Sequence, residues 1–261
     1  MISSTGNQQI KQIQKLLRSS RYRKESKAFI VEGIKMVEEA ARLGIIKKAY
    51  IAESCNSRGQ DVLSVLRNVD MEVVSDMVMK DISDTITPQG ILAVVSMTEY
   101  RLEDLLKEEN ASLIFLEDLR DPGNMGTIIR TAEGAGISGI IISSESVDLF
   151  NPKVVRSTMG SLFRMPFVYT KEFGKALSEA KKQGITLYAA HLKGSSYYDQ
   201  QCYQGKTGII IGNESAGITD GTAEKADILV KIPMCGQVES LNASVAAAVF
   251  MYEVLRYRRC H

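Results

Sequence analysis

From residue 112 onward, short apolar runs alternate with amphipathic stretches. "SLIFLEDL" (112–119), "GIIISS" (139–144), "PFVYT" (166–170), "ITLYAAHL" (185–192), "TGIIIGNE" (207–214) and "DILVKIPM" (227–234) read as strands. They are short, rich in β-branched residues and bounded by turn formers. "MGTIIRTAEGAG" (125–136), "NPKVVRSTMGSLFRM" (151–165) and "FGKALSEAKKQG" (173–184) carry helical spacing between them. A last helix follows "SLN", with Leu241, Val245, Val249, Tyr252 and Leu255 as its expected buried stripe. Strands alternating with helices predict an α/β domain with a parallel sheet covered on both faces.

Upstream the pattern is shorter. Helices are expected at about 7–19 and 33–43, strands near 27–31, 47–52, 71–74 and 91–95, and a helix in "SDMVMKDISDT" ending before Pro88. This makes a small mixed α/β unit. The polar stretch "TEYRLEDLLKEENAS" separates the two regions, so the expected organisation is 1–97, a connection at 98–111, and 112–261.

Charge adds one feature. The net charge of +1 says little about a partner. Its distribution says more: Lys11, Lys15, Arg18, Arg21, Arg23, Lys24 and Lys27 face one acid, Glu25, within the first thirty residues, and Arg256, Arg258 and Arg259 close the chain. A solvated helix face and a phosphate-binding surface both fit such a run. Cys55, Cys202, Cys235 and Cys260 show no metal-ligand spacing, and only His191 and His261 are available to join them, so no metal site is expected. Scattered cysteines and the lack of a signal-type or membrane-length apolar run point to the cytoplasm.

"GAGISG" (134–139) matches the dinucleotide fingerprint, but it ends a helix and precedes a strand, the reverse of the working order. Gly134 and Gly136 therefore read as cap and turn residues. Three loops at carboxyl ends of strands stand out, the edge where parallel sheets bind ligands. They are "LRDPGNMGTIIR", with Asn124 and Arg130; "GNESAGI", with Gly212 and Glu214; and "IPMCGQVESLN", with Ser240 and Asn242. Each has a plain reading. Asn124 fits a helix cap, Arg130 a pair with Glu133, Ser240 an N-cap, and Asn242 polar surface. The spacing also lets Asn124 and Arg130 share one pocket.

In order and strand context, "DPGNMGTIIRTAEGAG", "IIIGNESAGI" and "IPMCGQVESLNASVAAAVFMYEVLR" resemble the three motifs of the SpoU (TrmH) family of RNA ribose 2′-O-methyltransferases, of the SPOUT class. "FIVEGIKMVEEA" and "QGILAVV" resemble the L30e/L7Ae-like substrate-binding domain that precedes many members. The resemblance implies a deep trefoil knot in residues 112–261 and S-adenosylmethionine held by its loops. Its backbone-lined pocket falls on Gly212, Ile232, Met234 and Leu241, with Ala190 as a further wall. The family's polar active-site set falls on Asn124, Arg130, Glu214, Ser240 and Asn242.

The implied reaction is methylation of a ribose 2′-hydroxyl in structured RNA, 23S rRNA first, by a cytoplasmic homodimer joined through the knotted domain, with no metal. A tRNA substrate and an inactive RNA-binding protein of the same fold are the alternatives. The resemblance implies that the arginine matching Arg130 takes the 2′ proton; a guanidinium that stays protonated fits a phosphate clamp instead.

Overall fold

The computed structural model describes residues 1–56, 66–67 and 69–260. Its contacts divide the chain into two compact units, 1–98 with 148–163, and 99–147 with the chain from Arg164 onward.

In the first unit, Asn7 accepts from the Gln9 N–H and opens α1 (Gln8–Arg18). Ile10, Ile13 and Leu16, three residues apart, bury one face, while Lys11, Lys15 and Arg18 stay exposed. α2 (Ser20–Ser26) follows directly, where the sequence showed only a basic run. Its Arg23 turns inward and is 3% exposed. The guanidinium donates to the Asp148 carboxylate at 2.6 and 3.0 Å and to the Leu16 and Leu17 carbonyls, so it caps the end of α1 and leaves the set of solvent-facing cations. Then come β1 (Ala28–Glu32), α3 (Ile34–Arg42), β2 (Ile46–Ala52), α4 (Glu53–Asn56), β3 (Met71–Val74), α5 (Asp76–Asp81) and β4 (Ile91–Ser96). The sheet order is β1-β4-β2-β3, with only β2 and β3 parallel. The helix read in "SDMVMKDISDT" covers 76–81 only.

Residues 98–111 hold a helix, α6 (Leu102–Lys107), whose Leu105 and Leu106 enter the core of the second unit. The remaining elements are β5 (Ser112–Leu116), α7 (Pro122–Gly134), β6 (Gly139–Ser143), α8 (Pro152–Ser157), β7 (Phe167–Thr170), α9 (Phe173–Lys182), β8 (Thr186–Ala190), β9 (Ser196–Tyr197), β10 (Thr207–Ile211), α10 (Asp220–Ala223), β11 (Ile228–Lys231) and α11 (Ala243–Cys260). Among them α8 belongs to the first unit. The seven strands run parallel in the order β7-β6-β5-β10-β8-β11-β9. The expected α/β class with a parallel sheet is what the chain forms. No helix among the described residues is long and apolar enough to cross a membrane.

Two expectations need correction. "NPKVVRSTMGSLFRM" is not one helix. It breaks at Met159 (φ 51°) and Gly160 (φ 95°), two left-handed residues that glycine permits and a helix cannot contain, before a 3₁₀ turn at Ser161–Phe163. The buried stripe of α11 is also a different one. Ala243, Ala247, Phe250, Met251 and Val254 are buried, while Val245 and Tyr252 are 48% and 52% exposed. The helix is apolar on more than one side, and its alanine side takes the close contact with α7 and β10.

Candidate active site at the carboxyl edge of the parallel sheet

The loops that follow β5, β10 and β11 converge at one edge of the sheet. The loop after β10 is folded on itself: Asn213 and Gly217 exchange backbone hydrogen bonds of 2.9 and 3.0 Å. A Cβ at Gly212 would lie 2.1 Å from the Gly217 carbonyl carbon, so only glycine fits there, and Gly217 itself has φ 70°. Asn213 Oδ1 receives the Ser215 and Ala216 N–H groups, and its Nδ2 donates to the Asp118 carbonyl at 2.8 Å. The Glu117 carboxylate receives the Thr219 N–H and the Thr219 and Thr222 hydroxyls. Sequence reading missed both braces. Their signal was their place at the carboxyl ends of β5 and β10.

The three loops are joined by a chain of side-chain hydrogen bonds with a fixed direction. Asn242 Oδ1 accepts from the Ser244 N–H at 2.9 Å and the Ser244 hydroxyl at 2.7 Å, so Asn242 is the N-cap of α11. Its Nδ2 must then donate outward, and it does so to Asn124 Oδ1 at 3.0 Å. Asn124 Nδ2 in turn donates to Glu214 Oε1 at 3.0 Å. Glu214 also accepts the Asp121 N–H at 3.0 Å and the Arg120 N–H at 3.3 Å. Every contact of Glu214 is a donor, which suits only a carboxylate. Burial alone would push its proton affinity up. The bonds from Asn124 and from the Asp121, Glu214 and Arg120 N–H groups outweigh burial and hold it below the ordinary glutamate range.

This geometry revises several readings. Asn124 does not cap α7: Asp121 is the N-cap residue, and Asn124 lies buried in the first turn. Ser240 is exposed rather than capping, and the cap is Asn242, read as plain surface. Arg130 does not share a pocket with Asn124. Six residues of helix place them about 240° apart, and Arg130 is exposed, with no hydrogen bond or ion pair among the described residues. Glu133 pairs with Arg164 at 2.7 Å instead.

Beside the chain of amides lies a cavity of about 320 Å³. Ala190, Gly212, Ile232, Met234 and Leu241 all line it, as do Glu214 and Ser240, whereas Asn124, Arg130 and Asn242 do not. His191, Lys193, Lys231 and Glu239 are further lining residues that sequence reasoning did not single out. Residues 233–240 make no hydrogen bond among the described residues, and the Met234, Glu239 and Ser240 of this stretch line the cavity, so their peptide groups are open to a ligand. Among the described residues no group of three or more His, Cys, Asp or Glu is placed to hold a metal ion.

Comparison with known proteins places this arrangement. Residues 111–252 match the SpoU rRNA Methylase family, and residues 7–93 match the MRM3-like substrate binding domain. The chain is 32% identical over 254 residues to the 23S rRNA (guanosine(2553)-2′-O)-methyltransferase RlmP of Bacillus subtilis, covering 97% of this chain and 98% of that one. The AdoMet-bound rRNA methyltransferase from Sinorhizobium meliloti superposes with a TM-score of 0.86 at 32% identity, over 98% of this chain and 97% of that one. AviRb from Streptomyces viridochromogenes in complex with AdoMet gives a TM-score of 0.86 at 27% identity, over 98% of this chain and all of that one. The match spans both units and all three loop motifs, and the chain belongs to the SpoU rRNA methylase family.

Proposed function

We propose that this chain methylates a ribose 2′-hydroxyl of ribosomal RNA, in the large subunit, with S-adenosylmethionine as donor. The observation that carries the reading is the cavity lined by the second and third family motifs, with the Asn242–Asn124–Glu214 chain tying the first motif to it. The cavity fits the donor. It has the volume of a small-molecule site, and Met234, Glu239 and Ser240 on its wall offer peptide groups with no internal hydrogen bond to a polar ligand such as an adenine. Ala190, Gly212, Ile232, Met234 and Leu241 hold it. When bound, the donor supplies a methyl carbon on a sulfonium, and its S–C bond breaks with the electron pair returning to sulfur as the O–C bond forms.

The chain's own residues position the acceptor. Glu214, Asn124 and Asn242 fix the three loops against one another, and Ser240 orients the ribose at the cavity rim. Arg130 clamps an RNA phosphate. A guanidinium stays protonated, so the 2′ proton leaves to water rather than to Arg130. Placement of the two reactants supplies much of the rate. Mapping ribose methylation in RNA from cells with and without the protein tests the reading. One large-subunit 2′-O-methyl mark should vanish. A mark lost only from tRNA, or from a base, would replace it.

A homodimer completes the site in this reading. Val245 and Tyr252 stand exposed on α11, with Val249 and Leu255 half-buried beside them. Gly134, one turn after Arg130 on α7, brings the Tyr252 hydroxyl within 3.6 Å of where its Cβ would be, so Arg130 shares this face. A dimer across the face sets Arg130 against the partner's cavity. Light scattering should give a dimer at micromolar concentration, and Val245→Asp with Tyr252→Asp should give an inactive monomer. A wild-type monomer would overturn this.

The family's trefoil knot is part of the same reading. It is supported by the close backbone approach at Gly194, where a Cβ would lie 2.8 Å from the Leu229 carbonyl oxygen. Four free cysteines accord with a cytoplasmic enzyme.

The first unit holds the RNA. Lys11, Lys15 and Arg18 lie exposed on one face of α1, and the Lys15 ammonium sits 5.6 Å over the Tyr22 ring. Removing Lys15 and Arg18 together should weaken RNA binding, reduce the salt slope by about two and leave donor affinity unchanged. An unchanged slope would move the contact elsewhere on the unit.

A further inference from the structure

We propose that Glu239 is a specificity-determining residue that makes the cavity prefer a cationic ligand to its neutral counterpart, and thereby the methyl donor to the spent product. The inference rests on the donor assignment above. It starts from the charged groups on the cavity wall, which are Glu214, Glu239, Lys193, Lys231 and the titratable His191.

These groups are not equivalent. The Glu214 carboxylate is taken up by Asn124 and by the Arg120 and Asp121 N–H groups, so its charge is largely spent. The Lys231 ammonium lies 5.2 Å over the Tyr197 ring. His191 Nδ1 accepts from the Lys193 N–H. Glu239 differs: it is exposed to the cavity, makes no hydrogen bond or ion pair among the described residues, and stands beside Ser240 on the stretch without internal hydrogen bonds. Its charge is free to act on what enters.

The two ligands differ by one charge at one atom. Donor and product carry the same α-carboxylate and α-ammonium, which cancel in a comparison. Lys193 and Lys231 line the same cavity and pull on the carboxylate that both possess; their repulsion of the sulfonium opposes Glu239, so the Glu239 contribution is read from the variant rather than from the wild type alone. Only the donor has the sulfonium; in the product the same sulfur is a neutral thioether. An uncompensated carboxylate several ångströms away favours the cation by about three- to tenfold at an effective dielectric between water and protein. The preference disappears once the methyl has left, so Glu239 aids both loading and release.

The test is calorimetric binding of three ligands to the full-length protein and to Glu239→Gln. They are S-adenosylmethionine, S-adenosylhomocysteine, and sinefungin, which carries an ammonium where the donor has its sulfonium. In the variant, the two cationic ligands should weaken about three- to tenfold and the thioether should not change. Glu239→Asp should keep part of the preference, and raised salt should shrink it in the wild type. Equal loss for all three ligands would assign Glu239 a shape or ribose contact and overturn the proposal, as would no loss for any. A wild-type protein that binds none of the three would refute the donor assignment itself, a distinct result.

Discussion

Arg130→Ala is expected to slow methyl transfer by about a hundredfold or more, the loss typical when a group that acts on the transition state is removed. Donor affinity should stay within about threefold. The separation follows from its place. Arg130 is exposed, lines no part of the cavity, and makes no hydrogen bond or ion pair with the Asn242–Asn124–Glu214 chain or any other described residue. Nothing in the fold or in donor binding depends on it, so a large rate loss must come from the RNA side of the reaction. Arg130→Lys should also be poor, because lysine has no planar fork for a phosphate. Single-turnover methyl transfer to transcribed rRNA, with calorimetry for the donor, makes the measurement. A near wild-type rate for the alanine variant would remove Arg130 from the active site.

The second large effect concerns Asn124→Asp. Asn124 is 7% exposed and joins two loops through opposite ends of its amide. Aspartate keeps the acceptor for Asn242 but sets a second carboxyl about 3 Å from Glu214, where both cannot remain ionised. At neutral pH the protein should lose about 1–3 kcal/mol of stability, the cost of a broken buried contact. The pH dependence should reverse sign. In the wild type, the Glu214 proton affinity is lower folded than unfolded. Its contribution is present above the unfolded value of about 4.3 and is lost as pH falls through the lower folded value. In the variant the pair holds a proton more tightly when folded, so stability should rise as pH falls from neutral. Asn124→Ala lacks the repulsion and should show no such rise. Melting curves from pH 8 to pH 4 decide it. A variant midpoint that shows no rise relative to the wild type on acidification would show that the two carboxyls do not meet.

Periodicity carried the parallel sheet because its strands are apolar, β-branched and bounded by clear turns. It failed where context chose between equivalent faces. α11 offers apolar residues on more than one side, and its contact with α7 and β10 selects Ala243, Ala247 and Phe250 over Val245 and Tyr252. α2 was invisible because its helix rests on the inward turn of Arg23, and a buried cation with a distant aspartate leaves no local pattern. The cavity residues Gly212, Ile232, Met234 and Leu241 were legible through motif order. The bridging roles of Asn124 and Asn242 were not, because the partners of the Asn124 amide lie 90 and 118 positions away in the chain.

Residues 148–163 have a consequence for how the protein can be taken apart. They sit in sequence between β6 and β7 of the seven-stranded sheet, yet they belong to the first unit. There Phe150 stacks 4.6 Å from Phe29, and Asp148 receives Arg23. The backbone therefore passes between the units three times, and neither is a continuous fragment. A cut at residue 98 strands Leu149, Phe150, Val154 and Val155 without the surface that buries them. Exchange of the first unit for another, in the laboratory or by recombination, is thus not a matter of joining two ends. The incoming half must also accept a helix encoded within the catalytic one.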